Sequence, residues 1–445
     1  MEQLLEQDPV AMGMLGKQTI RDQEYRPLTY VLMVEDVEKK IYYNLLTHEM
    51  IAINRSEVDS PDIRRYFIEN WYLVPIEHDD QKLVDECRAV LTLMSSWPKK
   101  IHTFHIFTTL DCNARCFYCF EKRVPGSDMT IETAARAIEY IQQQAAGEHI
   151  KIIWFGGEPL CNYNIIDYIT VGLKNKGLHY ESEMVSNGIL FERELVDKAK
   201  NDWNLKRVQI TLDGTREIYK RVKAYVMNVE DPFERVIQNI NSLLRAEIRV
   251  SIRLNVGLYN NNAIRDLVDF LCEVMKGQEN LYVYAGPLFQ IKGYTEDQRE
   301  YIYGLIDELN KKLSMYFGQK KKKDFYEKIT NSFCMASGQE AVTILPDGKV
   351  GICPDNIDDA IIGDIYSEEL NLELRKNFGR RYYREDKCRP CPMYPNCYIV
   401  NGCPNKDDSE GCDSIRVQMH IKKIKENMKL MCRLGKSDNR ARPSL

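Results

Sequence analysis

Three cysteines stand close together in the ten-residue run DCNARCFYCF at 111–120. Cys112, Cys116 and Cys119 give the spacing C-x3-C-x2-C, directly after an apolar stretch at 104–110. Three thiolates on one short loop can each hold one iron of a cubane cluster, which leaves the fourth iron without a protein ligand. Because an open iron can bind and reduce a small molecule, the loop predicts a catalytic iron–sulfur cluster.

A second and larger group of cysteines lies toward the carboxyl end of the chain. Of the 14 cysteines, seven fall in this group: Cys334, Cys353, Cys388, Cys391, Cys397, Cys403 and Cys412. Zinc is the alternative for both groups. Structural zinc sites usually combine two C-x2-C pairs, so the C-x3-C-x2-C spacing of the first group fits zinc poorly. Cys388 and Cys391 do form a C-x2-C pair, so a zinc ribbon remains an alternative for the second group. The other four cysteines are predicted to be small buried side chains, namely Cys87, Cys161, Cys272 and Cys432.

The composition of the chain and its amino-terminal residues indicate which compartment and partners to expect. The chain has 445 residues, of which 44% are apolar and 29% charged, and its net charge is −5. This length suits about three domains, and the charge gives no reason to expect a nucleic acid partner. The amino terminus does not resemble a secretory signal, and no apolar run approaches the roughly 20 residues of a membrane span. We therefore expect a cytoplasmic protein with reduced thiols and no membrane partner.

The elements that would position the first cysteine group lie between residues 98 and 310, where short apolar runs alternate with helical patterns. This alternation is typical of βαβ units and predicts an α/β fold with a parallel sheet. The predicted strands are residues 103–109, 150–155, 183–186, 208–212, 249–256 and 281–286. The predicted helices are residues 131–146, 163–174, 193–199, 233–246 and 262–275. Six such units suit a partial (β/α)6 barrel, whose active site lies where the cysteine loop does, at the carboxyl ends of the strands.

Glycine-rich and polar turns follow the next predicted strands at the same edge. In chain order they contain Gly156, Gly157, Glu158 and Pro159, then Ser186 and Asn187, then Asp213. The two glycines allow a close backbone approach to a ligand and offer free N–H groups. The alternative for each turn is a plain connection to the following helix. Arg253 alternates with apolar neighbours on the fifth strand, which predicts an inward side chain that binds an anion or forms a structural ion pair.

The cysteine loop resembles the cluster loop of radical S-adenosylmethionine (SAM) enzymes, in which an aromatic residue, here Tyr118, precedes the third cysteine. The resemblance implies that a [4Fe-4S] cluster on Cys112, Cys116 and Cys119 binds SAM. It also implies reductive cleavage of SAM to a 5′-deoxyadenosyl radical, which abstracts a hydrogen atom from the substrate. Tyr118 is then expected to contribute to the cofactor site.

The strand-end turns resemble the SAM-binding turns of the same family. The turn from Gly156 to Pro159 resembles the methionine-binding turn, where Glu158 would meet the amino group of SAM. Ser186 and Asn187 resemble the residues that meet the ribose hydroxyls, and Arg253 is the candidate for the SAM carboxylate.

The sequence does not identify a catalytic residue. Asp213, at a strand end that the radical SAM family places near the active site, and Asp355 are the candidate acids. Arg221 lies in a stretch that this family often uses near the substrate.

The seven carboxyl-terminal cysteines resemble the SPASM domain of peptide-modifying and sulfatase-maturing radical SAM enzymes. One departure is the spacing from Cys397 to Cys403, with five intervening residues where the family usually has three. The resemblance implies two auxiliary [4Fe-4S] clusters, one on Cys388, Cys391, Cys397 and Cys412 and the other on Cys334, Cys353 and Cys403. Relatives with a fully ligated second cluster carry one more cysteine before the first, and this chain has none between 272 and 334. We expect an open iron there, or ligation by Cys432.

The region that contains Cys334 and Cys353 also predicts a local structure. Residues 342–352 read as a hairpin with an Asp-Gly turn, which we expect to bring the two cysteines close together. We place a linker at 311–333 and the SPASM domain at 334–432.

The first 97 residues predict a small α+β domain. Residues 30–34 and 40–44 alternate apolar and polar positions, which indicates a hairpin, with a further strand at 50–54 and helices at 62–72 and 80–95. The run at 41–49 resembles the winged-helix domain that grips leader peptides, which bind as an added strand. The alternative is a cap domain without that role.

These resemblances imply a peptide maturase that cross-links a ribosomally synthesised precursor peptide through a thioether or a carbon–carbon bond. A leader-bearing peptide and a flavodoxin or ferredoxin-type electron donor are the expected partners. One alternative is an anaerobic sulfatase-maturing enzyme, although such relatives carry Asp where this chain has Pro354, with Asp355 one residue later. The other is a non-catalytic electron-transfer protein.

Overall fold

The computed structural model describes residues 1–94, 100–119, 121, 126–145, 147–288, 293–317, 334–357, 360–367, 369–378, 388–397 and 414–434. The chain divides into two compact units. The terminal unit contains Met1–Pro98, Lys322–Ser337 and Gly379–Leu445, and the central unit contains Lys99–Lys321 and Gly338–Phe378. The four-part division predicted from the sequence stays a prediction.

The amino-terminal part of the terminal unit is built on a small antiparallel sheet. The strands of this part are β1 (Glu2–Leu5), β2 (Tyr25–Pro27), β3 (Val31–Glu35), β4 (Lys39–Asn44), β5 (Glu49–Asn54) and β6 (Leu73–Pro75). Its helices are α1 (Pro9–Leu15), α2 (Pro61–Glu69) and α3 (Asp80–Met94). The sheet order is β1-β5-β4-β3, and β2 pairs with β6. The predicted hairpin is therefore present as β3 and β4, in antiparallel register.

The central unit alternates strands and helices as the apolar pattern predicts. Its strands are β7 (Thr103–Phe107), β8 (Ile150–Phe155), β9 (Tyr180–Ser186), β10 (Leu205–Leu212), β11 (Arg249–Val256) and β12 (Leu281–Pro287). Its helices are α4 (Ile131–Ala145), α5 (Tyr163–Asn175), α6 (Arg193–Asn201), α7 (Arg216–Lys223), α8 (Pro232–Arg245), α9 (Ala263–Val274) and α10 (Glu296–Tyr316). The six strands are neighbours in chain order and run parallel. The predicted (β/α)6 arrangement is confirmed.

The remaining elements follow in the last quarter of the chain. They are α11 (Met335–Gly338), β13 (Ala341–Ile344), β14 (Lys349–Gly351), β15 (Ile361–Asp364), α12 (Leu372–Asn377) and α13 (Ser414–Leu434). The predicted hairpin is formed by β13 and β14, with Gly348 at a φ of +86° in its turn. This hairpin extends the central sheet, because β13 pairs in parallel with β7 and β15 pairs with β14.

The two faces of the central sheet differ in polarity. Along β8 and β10, fully buried apolar side chains alternate with half-buried ones, and the apolar face packs against amphipathic helices. The other face carries charged side chains: Lys151 lies 2.9 Å from Glu183, and Arg207 lies 3.6 Å from the same carboxylate. The sheet positions the predicted site residues, because most of them lie at or just after the carboxyl ends of its strands.

Candidate active site

The cysteine loop begins after β7 and is tied by its backbone to the turn after β8. Gly157 and Glu158 donate their N–H groups to the carbonyl oxygens of Thr109 and Asp111, at 3.1 and 3.0 Å. A Cβ atom on Gly156 would lie 2.3 Å from the Thr109 oxygen, and one on Gly157 would lie 2.1 Å from the Asp111 oxygen. Both positions therefore require glycine. The expectation that both glycines offer free N–H groups is wrong for Gly157, because its N–H group binds the cysteine loop itself.

The three cysteines of the loop are electrostatically coupled. Burial raises the pKa of Cys112 to about 12, and the charges of Glu158 and Cys116 add to this effect. The pKa of Cys119 is raised in the same direction, mainly by burial, and Cys116 contributes there as well. Cys119 also donates its backbone N–H to the Cys116 oxygen at 3.1 Å. Burial therefore favours the protonated thiol at both Cys112 and Cys119.

Glu158 joins the ends of two strands. Its carboxylate is fully buried and accepts from the Ser186 hydroxyl at 2.9 Å, from the Asn187 backbone N–H at 2.8 Å and from the Leu160 N–H at 3.2 Å. Burial raises the pKa of Glu158 to about 7, against the opposing effect of these hydrogen bonds. The Asn187 side chain donates in turn to the Asn113 side chain at 2.7 Å. The structure therefore brings Glu158, Ser186 and Asn187 together beside the cysteine loop.

Asp213 is the centre of a buried polar network at the end of β10. Its carboxylate is fully buried, pairs with the Lys223 ammonium at 3.0 Å and accepts from the Tyr118 hydroxyl at 2.8 Å. Lys223 also donates to Tyr118 at 3.2 Å and to Thr211 at 2.6 Å. Burial lowers the pKa of Lys223, but the charges of Asp213, Tyr118, Cys116 and Tyr219 together outweigh it, so the net pKa is raised. The ion pair thus fixes Tyr118 between two of the cysteines.

Arg253 belongs to the same network through one amide. Its Nε donates to the Asn255 side chain at 2.9 Å, and Asn255 donates to both Asp213 and Tyr118 at 3.1 Å. The guanidinium also donates to the Pro287 carbonyl at 3.0 Å. Tyr118, Asp213 and Arg253, which were predicted separately, therefore form one connected group.

Two carboxyl groups form a second feature of this unit. Burial raises the pKa of Glu121 to about 8, and the charges of Asp355 and Glu158 act in the same direction. Burial also raises the pKa of Asp355, while Arg253 lowers it. One Glu121 oxygen is buried and lacks a hydrogen-bond partner within the described part of the chain. The charge of Arg253 therefore acts on Asp355, and the role of Asp355 as a catalytic acid stays a prediction.

Sequence reasoning missed several of these residues. It named Arg221, which is exposed on α7, whereas Lys223 on the same helix is buried in the network. Helical spacing from the buried Tyr219 would have indicated Lys223, since residues four apart share a face. Alternation along β11 would have indicated Asn255, which lies two residues after Arg253 and so on the same face. Glu121 carried no comparable signal.

The second cysteine group is only partly described. Cys403 and Cys412 lie outside the described residues, Cys334 belongs to the terminal unit and Cys353 to the central unit. The expected proximity of Cys334 and Cys353 stays a prediction. Cys391 donates its N–H to the Cys388 oxygen at 3.1 Å, so these two cysteines share one turn. Burial raises the pKa of Cys391, and the charges of Cys397 and Cys388 add to this shift.

The prediction for the scattered cysteines is partly wrong. Cys87 and Cys272 are buried, as expected for small apolar side chains, whereas Cys161 is exposed and Cys432 is half-buried. Cys161 lies in the 3-10 turn Pro159–Asn162, directly after the glycine turn. Pro159 and Leu160 of the same turn are buried, so the turn directs only part of its residues toward the interior.

The thiols of the first group fit an iron–sulfur cluster by their chemistry. Within the described ranges, no three His, Cys, Asp or Glu side chains are grouped as ligands of a metal ion. A cubane cluster makes a different demand, since each thiolate binds its own iron atom. Three coupled thiols on one loop, one per iron, meet that demand.

Comparison with known proteins identifies the class. The model of the Radical SAM superfamily matches residues 106–271, so this part of the chain is a radical SAM domain. An uncharacterized protein of Methanocaldococcus jannaschii is 34% identical over 107 residues, which are 23% of this chain and 35% of that protein. A GTP 3′,8-cyclase of Clostridium perfringens is 26% identical, with coverage of 66% of this chain and 98% of that protein.

A solved structure shows the same fold. Native anSMEcpe with bound AdoMet and the Cp18Cys peptide aligns with a TM-score of 0.55 at 15% identity, over 75% of this chain and 99% of that one. The chain therefore has a radical SAM fold of the α/β class. Across the described helices, none combines the length and apolar character needed to span a bilayer.

Proposed function

We propose that this chain is a radical SAM peptide maturase that forms an intramolecular thioether or carbon–carbon cross-link in a ribosomally synthesised precursor peptide. The observation that carries this proposal is a second, SPASM-like cysteine group in a chain with a radical SAM domain. The peptide-bound anSMEcpe structure supports it only in showing that the shared fold can accommodate a peptide.

The residues at the strand ends provide a site for SAM. We assign the [4Fe-4S] cluster to Cys112, Cys116 and Cys119; when bound, such a cluster supplies one electron for the cleavage of SAM. Glu158 accepts three hydrogen bonds, and a carboxylate has about four acceptor positions, so one position suits the SAM ammonium. Arg253 has two protein acceptors and five N–H donors, which leaves donors for the SAM carboxylate.

The second cysteine group is assigned to two auxiliary clusters. Cys388, Cys391, Cys397 and Cys412 would hold one of them, and Cys334, Cys353 and Cys403 would hold the other. Cross-linking removes two hydrogen atoms from the peptide, and the second removal requires an electron acceptor, which is the chemistry such clusters supply. We place the protein in the cytoplasm, with a flavodoxin or ferredoxin-type donor.

Mass spectrometry of the peptide product tests this function. A precursor peptide encoded beside the gene is incubated anaerobically with reconstituted enzyme, SAM and a reductant. We expect a mass loss of two hydrogens and no fragments between the two linked residues, and no change with the Cys116→Ala enzyme. Cys353→Ala should still cleave SAM but yield no linked peptide. An unchanged peptide together with 5′-deoxyadenosine formation would contradict the peptide assignment.

A second candidate is a nucleotide cyclase. It is favoured by the GTP 3′,8-cyclase relative, of which the chain covers 98%. Incubation with GTP instead of peptide separates the two functions, because SAM-dependent loss of GTP would favour the cyclase. If neither substrate reacts, a sulfatase peptide is tested next. Absence of SAM cleavage by fully reconstituted enzyme would favour the non-catalytic alternative.

A further inference from the structure

A buried arginine in the terminal unit contacts the turn that carries the second cysteine group. Arg88 lies on α3 and is 1% exposed. Its guanidinium donates to the carbonyl oxygens of Tyr394 and Pro395, at 2.5 and 3.1 Å. These two residues lie between Cys391 and Cys397 in the chain. An arginine that is 306 residues distant in sequence therefore fixes the backbone of a cysteine turn.

The Tyr394 carbonyl has a second role in the same turn. Cys397 donates its backbone N–H to this oxygen at 3.4 Å, and Tyr394 donates its own N–H to the Cys391 oxygen at 3.2 Å. The two turns that space the cysteines therefore meet at Tyr394. Because Arg88 binds the oxygen that closes the Cys397 turn, the position of this cysteine depends on the guanidinium.

The surroundings of Arg88 hold it in one orientation. Its guanidinium carbon lies 4.9 Å from the centre of the Tyr394 ring, and its Nη1 lies 3.7 Å from the Asp85 carboxylate. Asp85 also accepts from the Tyr394 hydroxyl at 3.0 Å. Asn396 of the same turn donates its side-chain N–H to the Leu45 carbonyl at 3.2 Å. Both carbonyl oxygens are bound by the same nitrogen, Nη2, and the ring and carboxylate contacts further restrain the planar guanidinium.

We propose that Arg88 is a positioning residue for the second cysteine group. It fixes the Tyr394 and Pro395 carbonyls so that Cys391 and Cys397 are presented to the cluster, and its buried positive charge favours the reduced state of that cluster. Reduction adds negative charge, which a nearby cation stabilises, and net charge is one determinant of cluster potential. This inference rests on the proposed auxiliary cluster.

The test uses the full chain with Cys112, Cys116 and Cys119 all replaced by alanine, so that any bound iron belongs to the second group. Arg88→Met and Arg88→Lys are compared with this parent and with Lys82→Met, which removes an exposed charge from the same helix. Iron and sulfide per chain, the reduction potential from an EPR-monitored titration, and hydrogen exchange over residues 388–397 of the metal-free protein are measured.

We expect Arg88→Met to retain less than about half of the iron of the parent, to lower the reduction potential and to speed exchange over 388–397 about tenfold. Arg88→Lys keeps the charge but loses the planar guanidinium that packs on the Tyr394 ring, so its potential should stay closer to that of the parent while exchange is still faster. Lys82→Met should match the parent in all three measurements.

The outcomes distinguish this inference from the proposed function. Parent-like iron, potential and exchange in Arg88→Met would overturn the role of Arg88. A parent without iron would instead contradict the auxiliary cluster, and exchange of the metal-free protein would still decide whether Arg88 holds the turn. If the terminal unit of Arg88→Met unfolds, with fast exchange also in β3 to β5, then Arg88→Lys decides by the same criteria.

Discussion

The two cysteine groups are held in place by different interactions. The loop at 112–119 depends on a polar network, in which the buried pair of Asp213 and Lys223 fixes Tyr118, and on a glycine turn without side-chain bulk. The turn at 388–397 belongs to an apolar core instead. Tyr394 is buried and stacks on Tyr30 with ring centres 6.2 Å apart.

This difference predicts different responses to substitution. A buried ion pair loses most when one partner is removed, because the other charge stays buried and uncompensated. An apolar core loses stability in proportion to the volume and area removed. Single polar substitutions should therefore strongly destabilise the loop of the first group. The turn of the second group should be sensitive to substitution of Arg88, the buried cation that binds its carbonyl oxygens.

The largest expected effect separates the two groups by function. Cys116→Ala should reduce SAM cleavage to background, since the radical cluster loses one of three ligands. Cys391→Ala should leave uncoupled SAM cleavage within about twofold of the parent and abolish the cross-linked product. Rates of 5′-deoxyadenosine formation and peptide mass spectra check both variants. Loss of SAM cleavage in a folded Cys391→Ala protein would contradict the assigned roles of the two groups.

The polar network is tested by Lys223→Met. Removal of the ammonium leaves the Asp213 carboxylate buried, which should cost about 3–5 kcal/mol of unfolding free energy. Urea unfolding of the central unit measures the loss, with the exposed Lys220→Met on the same helix as the matched control. The double variant with Asp213→Asn should recover part of the loss, because no buried charge is left. A Lys223→Met protein as stable as the control would show that the pair does not anchor the loop.

Acid should affect the two units in different pH ranges. Burial, aided by Lys151, lowers the pKa of His105 in the central unit to about 4. Between about pH 6.5 and 4 the unfolded chain therefore binds a proton at this ring that the native chain does not, so His105 contributes a fall in stability of about 3 kcal/mol as the pH falls. Glu158 and Glu121, whose pKa values burial raises, contribute in the opposite direction in this range. In the terminal unit, hydrogen bonds from His78, Arg26 and Thr29 outweigh burial and lower the pKa of Asp80, so its contribution is lost only at more acidic pH.

Hydrogen exchange at several pH values checks this difference unit by unit. His105→Phe should remove the destabilising contribution of this ring between pH 6.5 and 4, so that β7 of the variant exchanges more slowly in acid than β7 of the parent, because the substitution removes the proton-binding ring while keeping a ring beside Phe155. An unchanged pH dependence in this variant would show that other groups cause it.

The smallest expected effect concerns the glycine turn. Gly157→Ala places a methyl group against the Asp111 carbonyl and should cost about 1–3 kcal/mol through backbone displacement. Gly304→Ala is the control, since it lies exposed within α10 with open space around it and should stabilise by about 0.5–1 kcal/mol. Thermal unfolding under anaerobic conditions compares the two. Equal effects would mean that the close approach carries no strain.

Local patterns predicted most of the central unit. The period of the apolar residues located β8 at 150–155 and β11 at 249–256, with the bounds that the structure has. It also indicated that the cysteine loop and the turns at Glu158, Ser186 and Asp213 share one edge, because parallel strands end on the same side. The apolar pattern did not predict helix α7, because most of its residues are charged and only a narrow face is buried.

The amino-acid sequence by itself therefore determined the class of cofactor chemistry, through cysteine spacing, and the order of strands and helices, through periodicity. Only the tertiary structure decided that Lys223 rather than Arg221 enters the network, that β13 pairs with β7, and that Arg88 reaches Tyr394. The physical reason is that spacing and periodicity are properties of neighbouring residues. Contacts between distant segments depend instead on how buried faces pack, which no local pattern encodes.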